Sequence, residues 1–394
     1  MITNSSISER RYDIDWIRIM LIFSVFIFHI GMFFNGFGWH IKNPERMLWL
    51  DPIMAYLHTW RMPLLFLVSG VGTFFALGKR SIGEFVGERS RKLLIPLVFG
   101  MLVIVPPQVF VEKQAQYGTF WNFIPHITHG SYPEGNLSWH HLWFILYLFI
   151  CAIAAIPFII MLRSRYSNRF YNLMQHLSSF KGLMLLLLTV PLFLSQLVLL
   201  PYFPHETHAL INDWAYIAKN FFFFLYGYVL LSNKVLIRNI AEQRRISAVF
   251  ALALTVLYFI DWFHSIDPYI NNTIQLFLLH FAIIAIGLAI IGYAARYLNR
   301  DHPWRYYINE AIYPFYILHQ TVILVIGYHL LKVSWSPGLK ALILSVGSFA
   351  CIIIIYLLLI RPFKLTRLLF GMQVKAREAR QQSISAGQLQ AVSQ

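Results

Sequence analysis

WIRIMLIFSVFIFHIGMFF, residues 16–34, is an apolar run as long as a helix that crosses a hydrocarbon core of about 30 Å. It carries two polar interruptions, Arg18 and His29, and no small-residue cleavage site follows it. It is therefore expected to remain as a transmembrane helix rather than leave as a signal peptide. Similar runs recur near 53–77, 93–111, 142–162, 182–200, 214–231, 247–263, 272–291, 311–331 and 338–360. With 58% hydrophobic and only 12% charged residues, the chain cannot clothe a water-facing surface. Lipid offers the backbone no hydrogen-bond partner, and the alternation of a membrane barrel is absent, so the spans are helices. The expected fold is all-α, a polytopic bundle of about ten transmembrane helices over 16–362. A short segment, 1–15, precedes it, and a basic then disordered tail, 363–394, follows.

Ten spans place alternate loops on two sides. Of the 32 Lys and Arg, 25 fall on the side of the N-terminus and seven on the other. The positive-inside rule makes the first side cytoplasmic, with both termini there. The net charge of +15 is then topology, not a nucleic-acid footprint. Of fifteen histidines, only His176 and His302 fall in cytoplasmic loops. Cys151 and Cys351 lie inside apolar spans and are read as packing residues.

Polar groups inside a membrane helix are costly and point to function by default. Arg18 and His29 are eleven residues apart, about 1100° of rotation and about 16 Å of rise, so they share one face of the first helix. Arginine at the cytoplasmic mouth suits phosphate, and histidine near the outer end suits proton abstraction from a hydroxyl. That spacing matches a coenzyme A thioester, with phosphates at one end and the acyl group at the other. The same residues also read as a membrane anchor and a satisfied bundle histidine. Arg89, Arg91 and Lys92 in FVGERSRKLLIP (85–96) form a cation cluster, for donor phosphates or for anionic headgroups.

Arg61, in HTWRMP (58–63), lies inside the outer end of helix two, beside Pro63. Ser69 with Gly70 and Gly72 reads first as tight packing. WHHLWF (139–144) puts His140 and His141 at the outer interface; adjacent helical residues diverge by about 100°, so one is expected to face inward, and His141 is favoured. In INEAIYPFYILHQTVI (308–323), Tyr316, His319, Gln320 and Ile323 share a face. His280 reads similarly, with less support. His208 and Asp213, spaced as in some glycerolipid acyltransferases, lack companions and are discounted. No phosphate loop, dinucleotide fingerprint, G-x-S-x-G elbow or zinc-type Cys/His spacing occurs, so no metal is expected.

Five blocks, RRYDIDWIRIMLIFSVFIFH (10–29), WRMPLLFLVSGVGTFFAL (60–77), ERSRKLLIPLVFG (88–100), HLWFILYL (141–148) and YPFYILHQTVI (313–323), resemble in order the bacterial integral-membrane acyltransferase family 3. The branch of periplasmic glucan-modifying proteins is the most similar. The resemblance implies that His29 is catalytic, since the family's Arg-x10-His pattern falls on Arg18 and His29. Its R-x-x-R pattern falls on Arg89 and Lys92, implying acyl-CoA binding with Arg18; lysine at the second position keeps charge but loses the planar fork. His141 and His319 fall in blocks typical of the branch, and Arg61, Ser69, Tyr316 and Gln320 are expected to line or support the same chamber. The implied reaction moves acetyl, succinyl or a similar group from cytoplasmic acyl-CoA to a hydroxyl of an envelope carbohydrate or glycolipid. It would occur at the bacterial inner membrane, with acyl-CoA as co-substrate and no resident cofactor. The acceptor is expected to meet the membrane domain directly. A transporter exporting a glycan, lipid or acylated metabolite is the rival reading, since intramembrane polar residues also mark translocation paths.

Overall fold

The computed structural model describes residues 11–78, 80–164, 167–264 and 273–372. Helix α1 spans Tyr12–Phe34. Asp13 and Asp15 sit in its first turn, where carboxylates favour the positive end of the helix dipole. Helix α2, Asp51–Leu77, starts on a proline at its first turn and keeps Pro63 inside. Helix α3, Ile82–Phe99, is opened by a capping box of Ser81 and Glu84. It continues through a π-turn, Gly100–Ile104, into α4, Pro106–Glu112.

After a loop, a 3-10 turn at His140–Leu142 leads into α5, Trp143–Ala154, and α6, Ile156–Leu162, bent by 42°. The amphipathic α7, Ser167–Ser179, turns through 119° into α8, Leu183–Leu199. Then follow α9 (Trp214–Leu231), the short α10 (Lys234–Glu242) and α11 (Arg244–His264). The last long helices are α12 (Thr273–Tyr297), α13 (Pro303–Leu330) and α14 (Pro337–Ile355), the last prolonged by a π-turn at Tyr356–Ile360. A small helix, α15 (Lys364–Leu369), closes the described chain.

Among the described residues, eight helices are long and apolar enough to cross a membrane, or up to ten when each bent pair counts as one span. All ten apolar regions of the sequence fall on these helices. The bent pairs are His140–Ala154 with Ile156–Leu162 and Ser167–Ser179 with Leu183–Leu199, where Pro157 lies just after one break and Gly182, at φ +78°, sits at the other. Several helices start earlier than hydropathy suggests, α3 at Ile82 and α13 at Pro303, because polar first turns are wound onto apolar spans.

Both ends of the described chain meet at one pole. There Arg305 pairs with Asp15 at 2.7 Å, and Arg367 with Glu310 at 2.9 Å. Phe370 packs on Phe99. The start of the basic tail is thus a docked helix rather than a free segment. The expected disordered stretch from 376 onward lies outside the described residues. This basic pole carries Arg18, Arg89 and Lys92; the opposite, histidine-rich pole carries the chamber described below.

The two poles are joined by a tight helix pair. At Gly70 of α2 a Cβ would sit 2.0 Å from the Phe224 carbonyl, and at Gly227 of α9 one would sit 1.8 Å from the Leu67 carbonyl. Only glycine allows these backbones to touch. Ser69 serves the same region, its hydroxyl donating to the Leu65 carbonyl at 2.8 Å.

Candidate active site

The histidine-rich pole opens into a cavity of about 2020 Å3 whose wall includes His29, Arg61, His141, Tyr316 and Gln320. Trp39 and Trp262 line it as well. Helix α1 delivers His29 there in a half-buried position between the buried Phe28 and Ile30 in sequence.

The tautomer of His29 follows from its contacts. Its Nδ1–H donates to the Val25 carbonyl at 2.8 Å and also faces Nε2 of His319 at 3.2 Å. Nδ1 of His319 in turn donates to the Tyr316 carbonyl, so His319 Nε2 carries a lone pair. His29 Nε2 is left as the basic nitrogen, with no protein partner among the described residues. The two rings lie 4.9 Å apart in an edge-to-face arrangement. His141 stands 5.1 Å from His319, and its Nε2–H donates to the Ile317 carbonyl at 3.0 Å. Tyr316 donates its hydroxyl to the His141 carbonyl. Behind them, Gln108 of α4 donates to His141 Nδ1 at 3.3 Å and to Thr321 at 2.7 Å. Gln320 donates to Gln108 Oε1 at 2.9 Å and to His40 Nε2 at 2.8 Å. The imidazoles of His29, His40, His141 and His319 are each held by a hydrogen bond.

Arg61 is 4% exposed, and its guanidinium carbon lies 3.3 Å from the centre of the Phe28 ring. Nη2 donates weakly to His58 Nδ1 at 3.4 Å, while Nε and Nη1 have no protein partner. Two buried guanidinium nitrogens thus remain without a protein partner among the described residues, in a side chain that lines the chamber. His58 passes to Glu206, whose carboxylate also takes Lys219 at 2.8 Å. Burial opposes ionisation of Glu206, but Lys219 and His58 outweigh it and hold the carboxyl well below its ordinary range.

The structure separates the expected donor residues from the chamber. Arg18 faces Asp15 at 3.4 Å and Asn309 at 3.3 Å at the basic pole. Arg89 donates to Thr73 at 3.0 Å, and Lys92 pairs with Glu88 at 2.7 Å. None of these three, nor Ser69 or His319, lies on the cavity surface itself; His319 stands directly behind His29.

One reading of the sequence is corrected. His140 faces the chamber together with His141. The pair lies in a 3-10 turn, and His140 has φ +40°, so the divergence of adjacent helical residues does not apply. His208 and Asp213 form a loop staple. Asp213 accepts from the backbone of Thr207 and His208 and from the Tyr147 hydroxyl. His208 stacks on Trp143 at 4.1 Å, and burial pushes it down to about 4. His280 donates to the Leu276 carbonyl within its own helix at 2.8 Å. Sequence reasoning missed Gln108, Glu112 and His40. An amide and a carboxylate at the two ends of the apolar stretch QVFVE (108–112) were the available signal.

The family model for the acyltransferase domain of acyltransferase family 3 matches residues 11–357. Glucans biosynthesis protein C of Escherichia coli strain K12 is 26% identical over 146 residues, covering 36% of this chain and 37% of that protein. The protein of the same name from strain SMS-3-5 matches to the same extent. The similarity to these relatives therefore spans little more than a third of their length. No solved structure matches. Taken with the helical bundle and the histidine-lined chamber, the match across most of the chain establishes that this protein belongs to acyltransferase family 3.

Proposed function

We propose that the protein transfers an acyl group, acetyl, succinyl or similar, from acyl-CoA to a hydroxyl of an envelope carbohydrate or glycolipid at the bacterial inner membrane. The observation that carries this reading is the bare Nε2 of His29, aimed into a roomy chamber with His319 behind it. In the proposed step Nε2 takes the proton of the acceptor hydroxyl while its oxygen bonds to the thioester carbonyl carbon. The carbonyl oxygen gains negative charge, and the unused N–H groups of Arg61 stabilise it. The C–S bond then breaks, and the thiolate leaves with the proton held by His29. During that interval His29 is an imidazolium, stabilised through Nδ1–H by the Val25 carbonyl and the His319 lone pair.

Aromatic walls such as Trp39 and Trp262 suit the apolar faces of sugar rings, and the relatives' name, glucans biosynthesis protein C, favours a carbohydrate acceptor. Arg18, Arg89 and Lys92 are assigned to the donor phosphates at the basic pole. The acyl arm must then thread between packed helices along α1 to reach His29.

Purified protein in vesicles with labelled acyl-CoA on one side and glucan on the other tests both parts. Transfer that requires donor at the basic pole and is abolished in His29→Ala, with the variant still inserted, supports the proposal. Transfer with donor supplied only at the chamber side removes the assignment of the basic residues. Undiminished transfer by the His29 variant removes its centre.

A further inference from the structure

A second group of ionisable side chains stands at the chamber apart from His29, and two of its members, His40 and His140, line the wall. Glu112, the last residue of α4, is its hub. Its Oε1 lies 3.1 Å from Nε2 of His140 and in hydrogen-bond contact with Nδ1 of His40. The two imidazoles lie 4.8 Å apart, inclined by only 22°. One ligand atom from each residue falls within 4.8 Å of the other two. The side chains are sheltered, with exposures of 2% for His140, 12% for Glu112 and 17% for His40. They come from an outer loop, the end of α4 and the 3-10 turn before α5, so the tertiary fold alone brings them together.

Each ring has a separate partner for its far nitrogen. His140 Nδ1 lies 2.6 Å from the Ser138 hydroxyl, and His40 Nε2 lies 2.8 Å from the Gln320 amide. Such outer partners fix ring orientation in metal sites. His140 also holds φ +40°, a region side-chain-bearing residues seldom occupy, and this places its ring beside His40. Lys113, the nearest cation in sequence, points away and donates to the carbonyls of Pro133 and Gly135 and to the Asn136 side chain.

We propose that His40, Glu112 and His140 form a binding site for a divalent transition-metal ion of the zinc type. Two imidazoles and one carboxylate are borderline donors that suit Zn2+; Mg2+ and Ca2+ favour oxygen ligands throughout. Three protein ligands leave a position on the chamber side for water or an acceptor oxygen. On binding, each ring carries its proton on the far nitrogen, and His140 Nδ1–H donates to Ser138 Oγ. Helix α13 then serves two sites from adjacent residues, His319 behind His29 and Gln320 behind His40. The local ligand spacing sought in sequence is absent because the three ligands lie 28 and 72 residues apart along the chain.

The test reads metal rather than turnover, so its outcome is independent of the proposed acyl transfer. Tag-free protein in detergent is stripped with a chelator and equilibrated with Zn2+ in an excess of Mg2+. Metal content is measured by plasma mass spectrometry and affinity by calorimetry. One Zn2+ per chain is expected for the wild type and for His126→Ala, which removes the separate exposed His126–His129 pair at 3.1 Å. Glu112→Gln and His140→Ala are expected to weaken binding at least about tenfold. Zn2+ should raise the melting temperature of the wild type and not that of Glu112→Gln. If His140→Ala does not fold, Glu112→Gln, which keeps the side-chain volume, decides. Absence of bound zinc in the wild type overturns the proposal, as does equal affinity in wild type and Glu112→Gln, or loss of binding in His126→Ala.

Discussion

His319 presents its Nε2 lone pair to the Nδ1–H of His29 at 3.2 Å, so two imidazoles that are 290 residues apart in sequence act as one unit. His319 thereby resembles the orienting member of a catalytic triad, with a neutral ring where a carboxylate is more usual. Removing it should leave His29 held through Nδ1–H by the Val25 carbonyl alone, without the second acceptor that steadies its imidazolium. His319→Ala is expected to lower kcat about 100-fold with little change in the KM for acyl-CoA. His319→Gln, whose Oε1 can accept from Nδ1–H, should recover part of the loss. Steady-state kinetics with labelled donor distinguish this from simple misfolding, which would lower the active fraction without rescue by glutamine.

Arg61 offers two unused N–H groups from a buried position against Phe28. A planar guanidinium stacked on a ring is not replaced by an ammonium. Arg61→Lys should therefore lose about 100-fold in kcat, in the range for removal of one preorganised oxyanion donor. Near-normal turnover by the lysine variant would show that the position needs only charge.

At the basic pole the three assigned phosphate ligands are not equivalent. Arg89 donates to the Thr73 hydroxyl and lies over the Phe85 ring, while Lys92 is paired with Glu88 at 2.7 Å. Arg89→Ala is expected to raise the KM for acyl-CoA about tenfold, roughly the cost of one charge-assisted hydrogen bond. Lys92→Ala should have a smaller effect. Donor titrations at fixed acceptor measure both, and the reverse ranking would shift the donor site toward Lys92.

Glu206 supplies a pH signature. Burial would raise its carboxyl, but Lys219 and His58 more than compensate, and the folded value falls below the unfolded one. Such a group adds stability that is complete above the unfolded value of about 4.3 and lost as pH falls through the lower folded value. Glu206→Gln should therefore melt below the wild type at pH 7, and the gap should close as the solution is acidified below about pH 4. Thermal unfolding in detergent across that range checks it; a gap that stays constant to pH 3 would assign Glu206 no such role.

The spans were legible because lipid imposes a length on every helix, and each of the ten apolar regions lies on a long helix or bent pair. The bends at 155 and 182 were not, since a proline near a helix break and a glycine in a turn carry no angle. For the site, the common face of Tyr316, His319 and Gln320 could be read from one helix, since periodicity acts within an element. The encounter of His319 with His29 could not, because it depends on how α1 packs against α13. His140 escaped because the helical rule was applied to a residue in a left-handed turn. Glu112 and His40 escaped because outer segments tolerate polar residues without cost, so neither looked unusual.

The glycine contact between α2 and α9 fixes which flank of the protein can yield. With Gly70 and Gly227 seated on each other's backbones, that side cannot part without breaking the bundle's tightest seam. Helix α11 lies elsewhere on the chamber rim, leans chiefly on α12 and turns Val249, Leu252 and Phe263 outward, while Tyr258 and Trp262 look in. A bulky acceptor of the kind proposed above would therefore have to enter past α11 rather than through the α2–α9 seam.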